Sequence, residues 1–309
     1  MNKGKILIVD ELHSVFRDRA EAMGYEVHDE PQFTRAQTLA AIADYDGIAV
    51  RTKFRIDREL MDAGTQLKFI ARAGAGLDNI DEATALERNI QLLNAPEGNM
   101  DAVGEHAVGL ILSLMNNFRN ADMEVRGGKW DREGNRGYEL KGKTVGIIGY
   151  GFMGSSLAHK LSGFGVQVIA YDKYKTGFSD QYAREVSMEE IVKCSDVLSL
   201  HIPLTNETRQ LVDEEYLLHF RKPIFLINTA RGEILNTRAV LNALNRGKIL
   251  GAGLDVLEVE KFPALAEQAW FPELISSGKV ILTPHVGGWT FDSYRKISEV
   301  LADKLAALS

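Results

Sequence analysis

The sequence predicts an α/β protein with parallel sheets covered on both faces by helices. Short segments rich in Val, Ile and Leu, typical of buried strands, alternate along the chain with segments whose apolar residues recur at helical spacing. A helix between successive strands returns the chain to the same end of the sheet, so the strands pair in parallel. With 309 residues, 45% of them hydrophobic, the chain is long enough for two domains with their own cores.

The pattern of the first part of the sequence predicts a small doubly wound sheet. This part contains no glycine motif of the kind that binds phosphate. Strands are expected at 5–9, 25–29, 47–50, 68–72 and 90–94, with helices near 14–23, 34–43, 57–63 and 81–88. Ligands of open α/β sheets lie beyond the carboxyl ends of the strands. Arg51 follows one such end, and Arg72 opens the loop 72–78, with Gly74 and Gly76, at another; the amides of a glycine loop suit a carboxylate. An ordinary solvated turn explains these residues equally well.

The segment 144–172 predicts a dinucleotide site. A buried strand at 144–148 leads into a G-x-G-x-x-G turn and an amphipathic helix, and the glycines of the turn are Gly149, Gly151 and Gly154. Such a turn lets the backbone approach a pyrophosphate, which lies on the helix N-terminus. Asp172 ends the next strand, where a carboxylate accepts hydrogen bonds from ribose hydroxyls and repels a 2′-phosphate. The predicted cofactor is therefore NAD.

A long helix is expected over 100–118, capped by Asn99 or Asp101. Asp101, Glu105 and His106 on this helix have side chains of the kinds that bind metals. A polar face on a packed helix explains them better, because no second pair of ligands appears. No metal site is predicted.

Polar residues follow the later strands at their carboxyl ends. They are His201, Arg231, Asp255 and His285. The glycine turn lies at the same edge, so these groups are expected to line the side of the sheet that binds the dinucleotide. Reduction of a 2-oxo acid needs a carboxylate anchor, a proton donor and a group that tunes this donor, and an arginine, an acid and a histidine supply them. The sequence therefore predicts a redox site.

These motifs closely resemble the signatures of the D-isomer-specific 2-hydroxyacid dehydrogenases. The matching segments, which run through almost the whole chain, are RAGAGLDNID, GYGFMG with Asp172, HIPLTNET, NTARGEIL, GAGLDVLEVE and TPHVGG. The resemblance implies a catalytic Arg, Glu and His, which map onto Arg231, Glu260 and His285. One departure is that Lys261 follows Glu260 where the family usually has proline.

The resemblance also implies an architecture that spacing alone does not show. A Rossmann NAD-binding domain, residues 99–286, is inserted into a flavodoxin-like substrate domain, residues 1–98 and 287–309. The last helix is expected over 291–307, with Ile297, Val300, Leu301, Leu305 and Leu308 as its apolar face. Cofactor contacts are implied at Gly149, Gly151, Phe152, Met153, Gly154, Asp172, His201, Pro203, Thr208, Thr229, Ala230, Asp255 and Gly287.

Within the family, RAGAG and the GKWDR segment at 128–132 are most similar to 3-phosphoglycerate dehydrogenases. This similarity implies oxidation of D-3-phosphoglycerate to 3-phosphohydroxypyruvate, the first reaction of serine biosynthesis. Substrate contacts are then expected from Arg51, Arg72, Gly74, Ala75 and Arg132, with Lys53 nearby. The sequence stops at Ser309, so feedback inhibition through the C-terminal regulatory domains of longer forms is not expected.

Two alternatives to this function stay open. Glyoxylate or hydroxypyruvate reductases share every catalytic motif. A NAD-sensing binding protein on the same fold is less favoured, because such a sensor can dispense with the catalytic residues and this chain has all three.

Composition and resemblance set further expectations about partners and location. Family members are typically dimers that exchange a long helix and arm, here at 100–142, so a homodimer is expected. The net charge of −7 argues against nucleic acid as a partner. No signal-peptide core and no apolar segment of membrane-spanning length are apparent, so a cytoplasmic enzyme without membrane contact is expected. The single cysteine, Cys194, is expected to be a buried structural thiol.

Overall fold

The structure, a computed structural model, describes residues 3–308, which form two compact units. The first unit comprises the chain up to Met100 and again from Trp289 onward, and the second is Asp101–Gly288. The boundaries lie two residues beyond the expected ones at each junction.

The first unit contains a five-stranded sheet in which all neighbouring strands are parallel. Its strands are β1 (Gly4–Ile8), β2 (Tyr25–Asp29), β3 (Gly47–Val50), β4 (Phe69–Arg72) and β5 (Gln91–Asn94). Their order in space, β2-β1-β3-β4-β5, is that of flavodoxin. The predicted flavodoxin-like sheet is confirmed.

Helices cover both faces of this sheet. They are α1 (Ser14–Ala22), α2 (Arg35–Ala41), α3 (Arg58–Ala63), α4 (Glu82–Glu87) and the last helix of the chain, Phe291–Ala307. Successive residues of β1 pack on opposite faces of the sheet: Ile6 packs with the last helix, and Leu7 packs with Leu60 of α3. This alternation follows from the two-residue period of a strand, and apolar residues at both parities mark a sheet buried on both sides.

The second unit contains a seven-stranded parallel sheet with the order β8-β7-β6-β9-β10-β11-β12. The strands are β6 (Thr144–Ile148), β7 (Gln167–Tyr171), β8 (Arg184–Glu185), β9 (Val197–Leu200), β10 (Ile224–Asn228), β11 (Ile249–Leu254) and β12 (Val280–Leu282). The direction of winding reverses between β6 and β9, as in the Rossmann fold, and ligands of such sheets bind at this switch point. The predicted Rossmann sheet is confirmed.

Most of the remaining helices cover the second sheet. They are α5 (Pro96–Met115), in which the unit boundary falls, α6 (Phe118–Arg126), α7 (Phe152–Lys160), α8 (Met188–Cys194), α9 (Glu214–Leu218), α10 (Thr237–Asn245) and α11 (Phe271–Ser276); the last helix of the chain is therefore α12. The apolar face of α5, which includes Leu110 and Ile111, packs with Val145 and Ile147 of β6.

Several expectations about local structure were wrong. The long helix begins at Pro96, so neither Asn99 nor Asp101 caps it; proline fits the first helical turn, where its missing N–H has no partner to lose. Leu308 is 41% exposed, because α12 ends before it can turn its side chain into the core. Cys194 is only partly buried, since it is the last residue of α8.

The described residues contain no helix that combines the length and the apolar composition needed to cross a membrane.

The packing of α12 predicts a large loss of stability when its core contact is removed. Leu301 is fully buried among residues of β1, α1 and α12. Leu301→Ala should lower the free energy of unfolding by about 2–4 kcal/mol, through lost burial and the cavity left behind. Urea unfolding followed by circular dichroism measures this loss. The matched control is Leu308→Ala, which should change the free energy by less than about 0.5 kcal/mol because this side chain is exposed; equal losses would contradict the packing.

Candidate active site

The glycine turn after β6 has a backbone that only glycine fits. Gly149 has a φ of +92°, and a Cβ on it would lie 2.4 Å from the carbonyl oxygen of His201. A Cβ on Gly154 would lie 2.1 Å from the carbonyl oxygen of Gly149, so the helix start and the strand end approach very closely. Gly151 caps α7 without a side-chain hydrogen bond and has open space where a Cβ would lie. The amides of the first turn of α7 thus lie beside space that fits a pyrophosphate.

The carboxylate of Asp172 is fixed at the carboxyl end of β7. Its Oδ2 accepts a hydrogen bond from the amide of Tyr150 at 2.8 Å, and its Oδ1 accepts one from the amide of Tyr174 at 2.9 Å. Its Oδ1 also accepts from the amide of Lys175 at 3.2 Å, and since an ionised carboxylate has about four lone-pair sites, it keeps capacity for a ribose hydroxyl. Together with the glycine turn, Asp172 fits the adenosine half of NAD.

His201 follows β9 at the same edge of the sheet. Its Nε2 lies 2.8 Å from Ser199 Oγ, while its Nδ1 is buried and has no hydrogen-bond partner among the described residues. Burial lowers the pKa of His201 to about 4, so the ring is neutral at physiological pH. The hydroxyl of Thr229 after β10 is likewise buried without a partner in the described part of the chain. Both are polar groups that a bound ligand can satisfy.

A hydrogen bond within the loop after β9 joins two of its residues: Thr208 Oγ1 donates to the carbonyl oxygen of Pro203 at 2.7 Å. Phe152 and Met153 form the first turn of α7. These residues and Ala230 stay predicted cofactor contacts.

The turn after β10 carries Arg231. The fully buried Asn228 shapes this turn: its Oδ1 accepts from the Ala230 amide at 3.0 Å, and its Nδ2 donates to the Arg231 carbonyl oxygen at 2.9 Å. A Cβ on Gly232 would lie 1.9 Å from the carbonyl carbon of Leu257, so the turn is pressed against the loop after β11. Sequence reasoning missed Asn228; an asparagine inside an otherwise apolar strand was the available signal.

His285 and Glu260 form a pair. His285 Nδ1 lies 2.9 Å from Glu260 Oε2, and both side chains are partly exposed. The hydrogen bond and the negative charge of Glu260 raise the pKa of His285, against opposing effects of burial and of the Arg231 guanidinium. Because Nδ1 faces the carboxylate, the ring offers Nε2 to a substrate. The structure thus brings the three predicted catalytic residues into one neighbourhood of the second unit.

Asp255 is 2% exposed and anchors the loop that carries His285. Its Oδ1 accepts from the amide of Val286 at 2.9 Å, and its Oδ2 accepts from the amide of Gly287 at 2.8 Å. His285 itself has a φ of +54°, and its amide donates to the Asp255 carbonyl oxygen at 2.8 Å. Contact of Asp255 or Gly287 with the cofactor stays a prediction.

The candidate substrate residues of the first unit lie on neighbouring strands. Val50, the last residue of β3, pairs with Arg72, the last residue of β4. Arg51 and Arg72 are therefore neighbours at the carboxyl edge of the sheet. Asp10, 8% exposed, holds the loop after β3: its Oδ2 accepts from the amides of Arg51, Thr52 and Lys53 at 3.0, 2.8 and 2.9 Å. The guanidinium carbon of Arg51 lies over the ring of Trp289, 4.1 Å from its centre.

Sequence reasoning missed both Asp10 and Trp289. The glycine loop itself is tight: a Cβ on Gly74 would lie 1.8 Å from Arg72 Nη1, and the carbonyl oxygen of Ala75 accepts from Asn94 at 2.6 Å. Arg132 is an exposed residue of the second unit, in the segment between α6 and β6.

Comparison with known proteins agrees with this site. The family model of the NAD-binding domain of D-isomer specific 2-hydroxyacid dehydrogenases matches residues 108–287. The hydroxypyruvate reductase of Thermotoga maritima is 36% identical over 87% of this chain and 86% of its own length. The D-3-phosphoglycerate dehydrogenase of Methanocaldococcus jannaschii is 34% identical over 97% of this chain, which spans only 56% of that relative.

A solved structure shows the same likeness. The D-lactate dehydrogenase of Aquifex aeolicus, in complex with NAD and lactic acid, superposes with a TM-score of 0.82 at 27% identity over 98% of this chain and 95% of its own. Two parallel sheets, a glycine turn that fits NAD and a family model that spans most of the second unit lead to one conclusion. The chain belongs to the D-isomer-specific 2-hydroxyacid dehydrogenases, NAD-dependent oxidoreductases that act on the CH–OH group of 2-hydroxy acids.

Proposed function

We propose that this dehydrogenase uses His285 as its acid–base residue, Glu260 to tune it and Arg231 to bind the substrate carboxylate. The observation that carries the proposal is the 2.9 Å pair between His285 Nδ1 and Glu260 Oε2, with Arg231 near enough to affect the pKa of the histidine. NAD, when bound, supplies the redox chemistry by accepting a hydride from C2 of the hydroxy acid or, as NADH, returning it to the 2-oxo acid.

The protein residues handle the proton and the charge. In reduction, His285 Nε2 donates its proton to the carbonyl oxygen as negative charge develops there. In oxidation, the neutral ring takes the hydroxyl proton. Glu260 stabilises the imidazolium by hydrogen bond and charge, and the Arg231 guanidinium suits a planar carboxylate that accepts two hydrogen bonds.

We propose that the substrate is D-3-phosphoglycerate, or 3-phosphohydroxypyruvate in the reverse direction, with Arg51 and Arg72 binding the phosphate. Arg51 supports this proposal, because its Nε is buried without a hydrogen-bond partner among the described residues, while its guanidinium lies over the ring of Trp289. A buried unpaired donor on a fixed cation is costly unless a ligand accepts from it. Gly74, Ala75 and the exposed Arg132 remain proposed contacts.

The second candidate is a hydroxypyruvate or glyoxylate reductase, favoured by the Thermotoga relative. These substrates lack the phosphate and would leave Arg51 without its anion. A sensor protein that binds NAD without turnover is the least supported candidate, since the chain places an arginine and a tuned histidine together.

We propose that the enzyme is a homodimer built through residues 100–142. The support is the surface of α6, all nine residues of which the structure describes and none of which is buried. Phe118, Met123 and Val125 are more than half exposed, and Trp130 beyond the helix is 80% exposed. A cluster of large apolar side chains on an exposed arm is typical of a surface that a second copy covers.

Asp172 predicts a strong preference for NAD over NADP. A fixed carboxylate beside a 2′-phosphate is a like-charge contact, which costs several kcal/mol. Asp172→Asn should therefore lower the NAD-to-NADP ratio of kcat/KM by at least about tenfold, the equivalent of 1.4 kcal/mol. Glu207→Gln is the matched control, because this exposed acid pairs with Lys173, next to Asp172. An unchanged ratio in Asp172→Asn, or an equal change in both variants, would remove the role assigned to Asp172.

The His285–Glu260 pair predicts a shift in pH dependence. Reduction needs the protonated histidine, so its rate falls as the pH rises through the pKa of His285. Glu260 raises this pKa, so Glu260→Gln should move the fall to lower pH while retaining partial activity. His285→Ala should lower kcat by about 10²–10⁴-fold with little change in NADH binding.

The matched control for this shift is Glu258→Gln. Glu258 lies two residues before Glu260 but accepts from the amide of Thr237 at 2.8 Å, away from the pair. Its pH profile should match that of the unmodified enzyme. An unmoved profile in Glu260→Gln would refute the pairing, and a fully active His285→Ala enzyme would refute the proposed acid.

The anion site predicts a loss that depends on the substrate. Arg51→Ala should lower kcat/KM for phosphohydroxypyruvate roughly tenfold to a hundredfold, which corresponds to about 1.5–3 kcal/mol of lost binding free energy. The kcat/KM for glyoxylate should stay nearly unchanged. Arg55→Ala, an exposed arginine of the same loop, is the control and should affect neither substrate. Equal losses on both substrates would place Arg51 at the carboxylate or in the scaffold. An enzyme inert toward phosphohydroxypyruvate would exclude the proposed substrate.

A further inference from the structure

We propose that His106 is a positioning residue for catalysis, which holds the loop of His285 through Thr283 and Asp255. The inference rests on the proposed role of His285. It gives a function to a residue of α5 that sequence reasoning assigned to the polar face of a packed helix. The described residues contain no group of three His, Cys, Asp or Glu side chains that could hold a metal.

A chain of hydrogen bonds joins His106 to the buried carboxylate. Thr283 Oγ1 lies 2.5 Å from Asp255 Oδ1, and His106 Nε2 lies 3.0 Å from the same threonine oxygen. A hydroxyl has a single proton, and the carboxylate can only accept, so Thr283 donates to Asp255. The threonine oxygen can then only accept a hydrogen bond from His106. His106 must therefore carry its proton on Nε2 and donate it.

The direction of this chain gives it a mechanical role. His106 Nε2 lies 3.5 Å from Asp255 Oδ1, so its N–H also faces the negative charge directly. Asp255 in turn accepts from the amides of Val286 and Gly287, the two residues that follow His285. Each donor polarises the next, which strengthens a chain of this kind in a buried site.

The ring of His106 also packs against the loop. A Cβ on Gly287 would lie 2.9 Å from Asp255 Oδ2 and 3.3 Å from His106 Cδ2. The carboxylate and the imidazole therefore both occupy the side of Gly287 toward which a side chain would project.

His285 depends on such support because its backbone is in the left-handed region, with a φ of +54°. Residues other than glycine occupy this region only where their surroundings impose it. Without the His106 donor, Thr283 and Asp255 are free to change partners, and the loop gains conformations that point His285 away from its substrate. The expected consequence is a lower rate of the chemical step with little effect on cofactor affinity.

The test compares two substitutions of His106 in the full-length enzyme. His106→Leu removes the donor and should lower kcat for reduction by about 10- to 100-fold, the scale of a misplaced catalytic group, with the Kd for NADH within twofold of normal. His106→Gln, whose amide nitrogen reaches the position of Nε2, should restore at least half of kcat. Glu105→Gln is the matched control, since Glu105 is on the same helix but pairs with Lys160 at 3.1 Å; its kcat should not change.

A second readout does not depend on turnover. In the cofactor-free enzyme, amide hydrogen exchange at Val286 and Gly287 should be at least tenfold faster in His106→Leu than in His106→Gln or in the unmodified protein. Normal kcat in His106→Leu would overturn the inference, as would equal kcat losses in Leu and Gln variants with unchanged exchange. If His285→Ala is fully active, the proposed function fails instead, so the two failures are distinguishable.

A double-mutant cycle tests the route through Thr283. Thr283→Val removes the hydroxyl while keeping the shape of the side chain. If His106 acts through Thr283, His106→Leu should lower kcat by less than about twofold in an enzyme that already carries Thr283→Val. In the enzyme with Thr283 unchanged, the same substitution should have its full effect. Additive losses would show that His106 acts by another route and would overturn this assignment.

Discussion

The carboxylate of Asp255 is buried in the second unit, and three donors of a single loop converge on it: the hydroxyl of Thr283 and the amides of Val286 and Gly287. A buried charge is tolerated only when it is fully hydrogen-bonded, so the loop has one arrangement that satisfies the carboxylate. His285 lies within this loop and has a left-handed backbone, with a φ of +54°. The hydrogen bonds of Asp255 therefore hold the loop that carries His285, the proposed proton donor.

The fold was predictable because parallel strands buried on both faces are nearly continuous apolar segments, and the strands of both sheets fall where such segments occur. The start of α5 was not predictable. Residues 96–99 include Gly98, a poor helix former, and have no apolar repeat. A Cβ on Gly98 would lie 2.6 Å from the Cα of Ile297 in α12, so the close approach of another helix overrides the weak helical propensity.

The proposed site was only partly accessible from sequence. Arg231 and His285 follow strand ends, which are local features, whereas Glu260 was predicted only through the family resemblance. Asp10 and Trp289 are different, because their roles depend on contacts with Arg51 that join distant parts of the chain: the Asp10–Arg51 hydrogen bond spans 41 residues. No local pattern distinguishes such an aspartate from a turn residue or such a tryptophan from an apolar surface residue.

The discontinuous first unit has a consequence for synthesis of the protein. Its core includes Ile297, Leu301 and Leu305 of α12, which the ribosome makes only after Asp101–Gly288 is complete. Domains generally fold as units while the chain is being made, with the N-terminal one first. Here that order is reversed. The inserted unit can close its core during translation, while the unit that begins the chain must wait, with one face of its sheet uncovered, until its last helix is released.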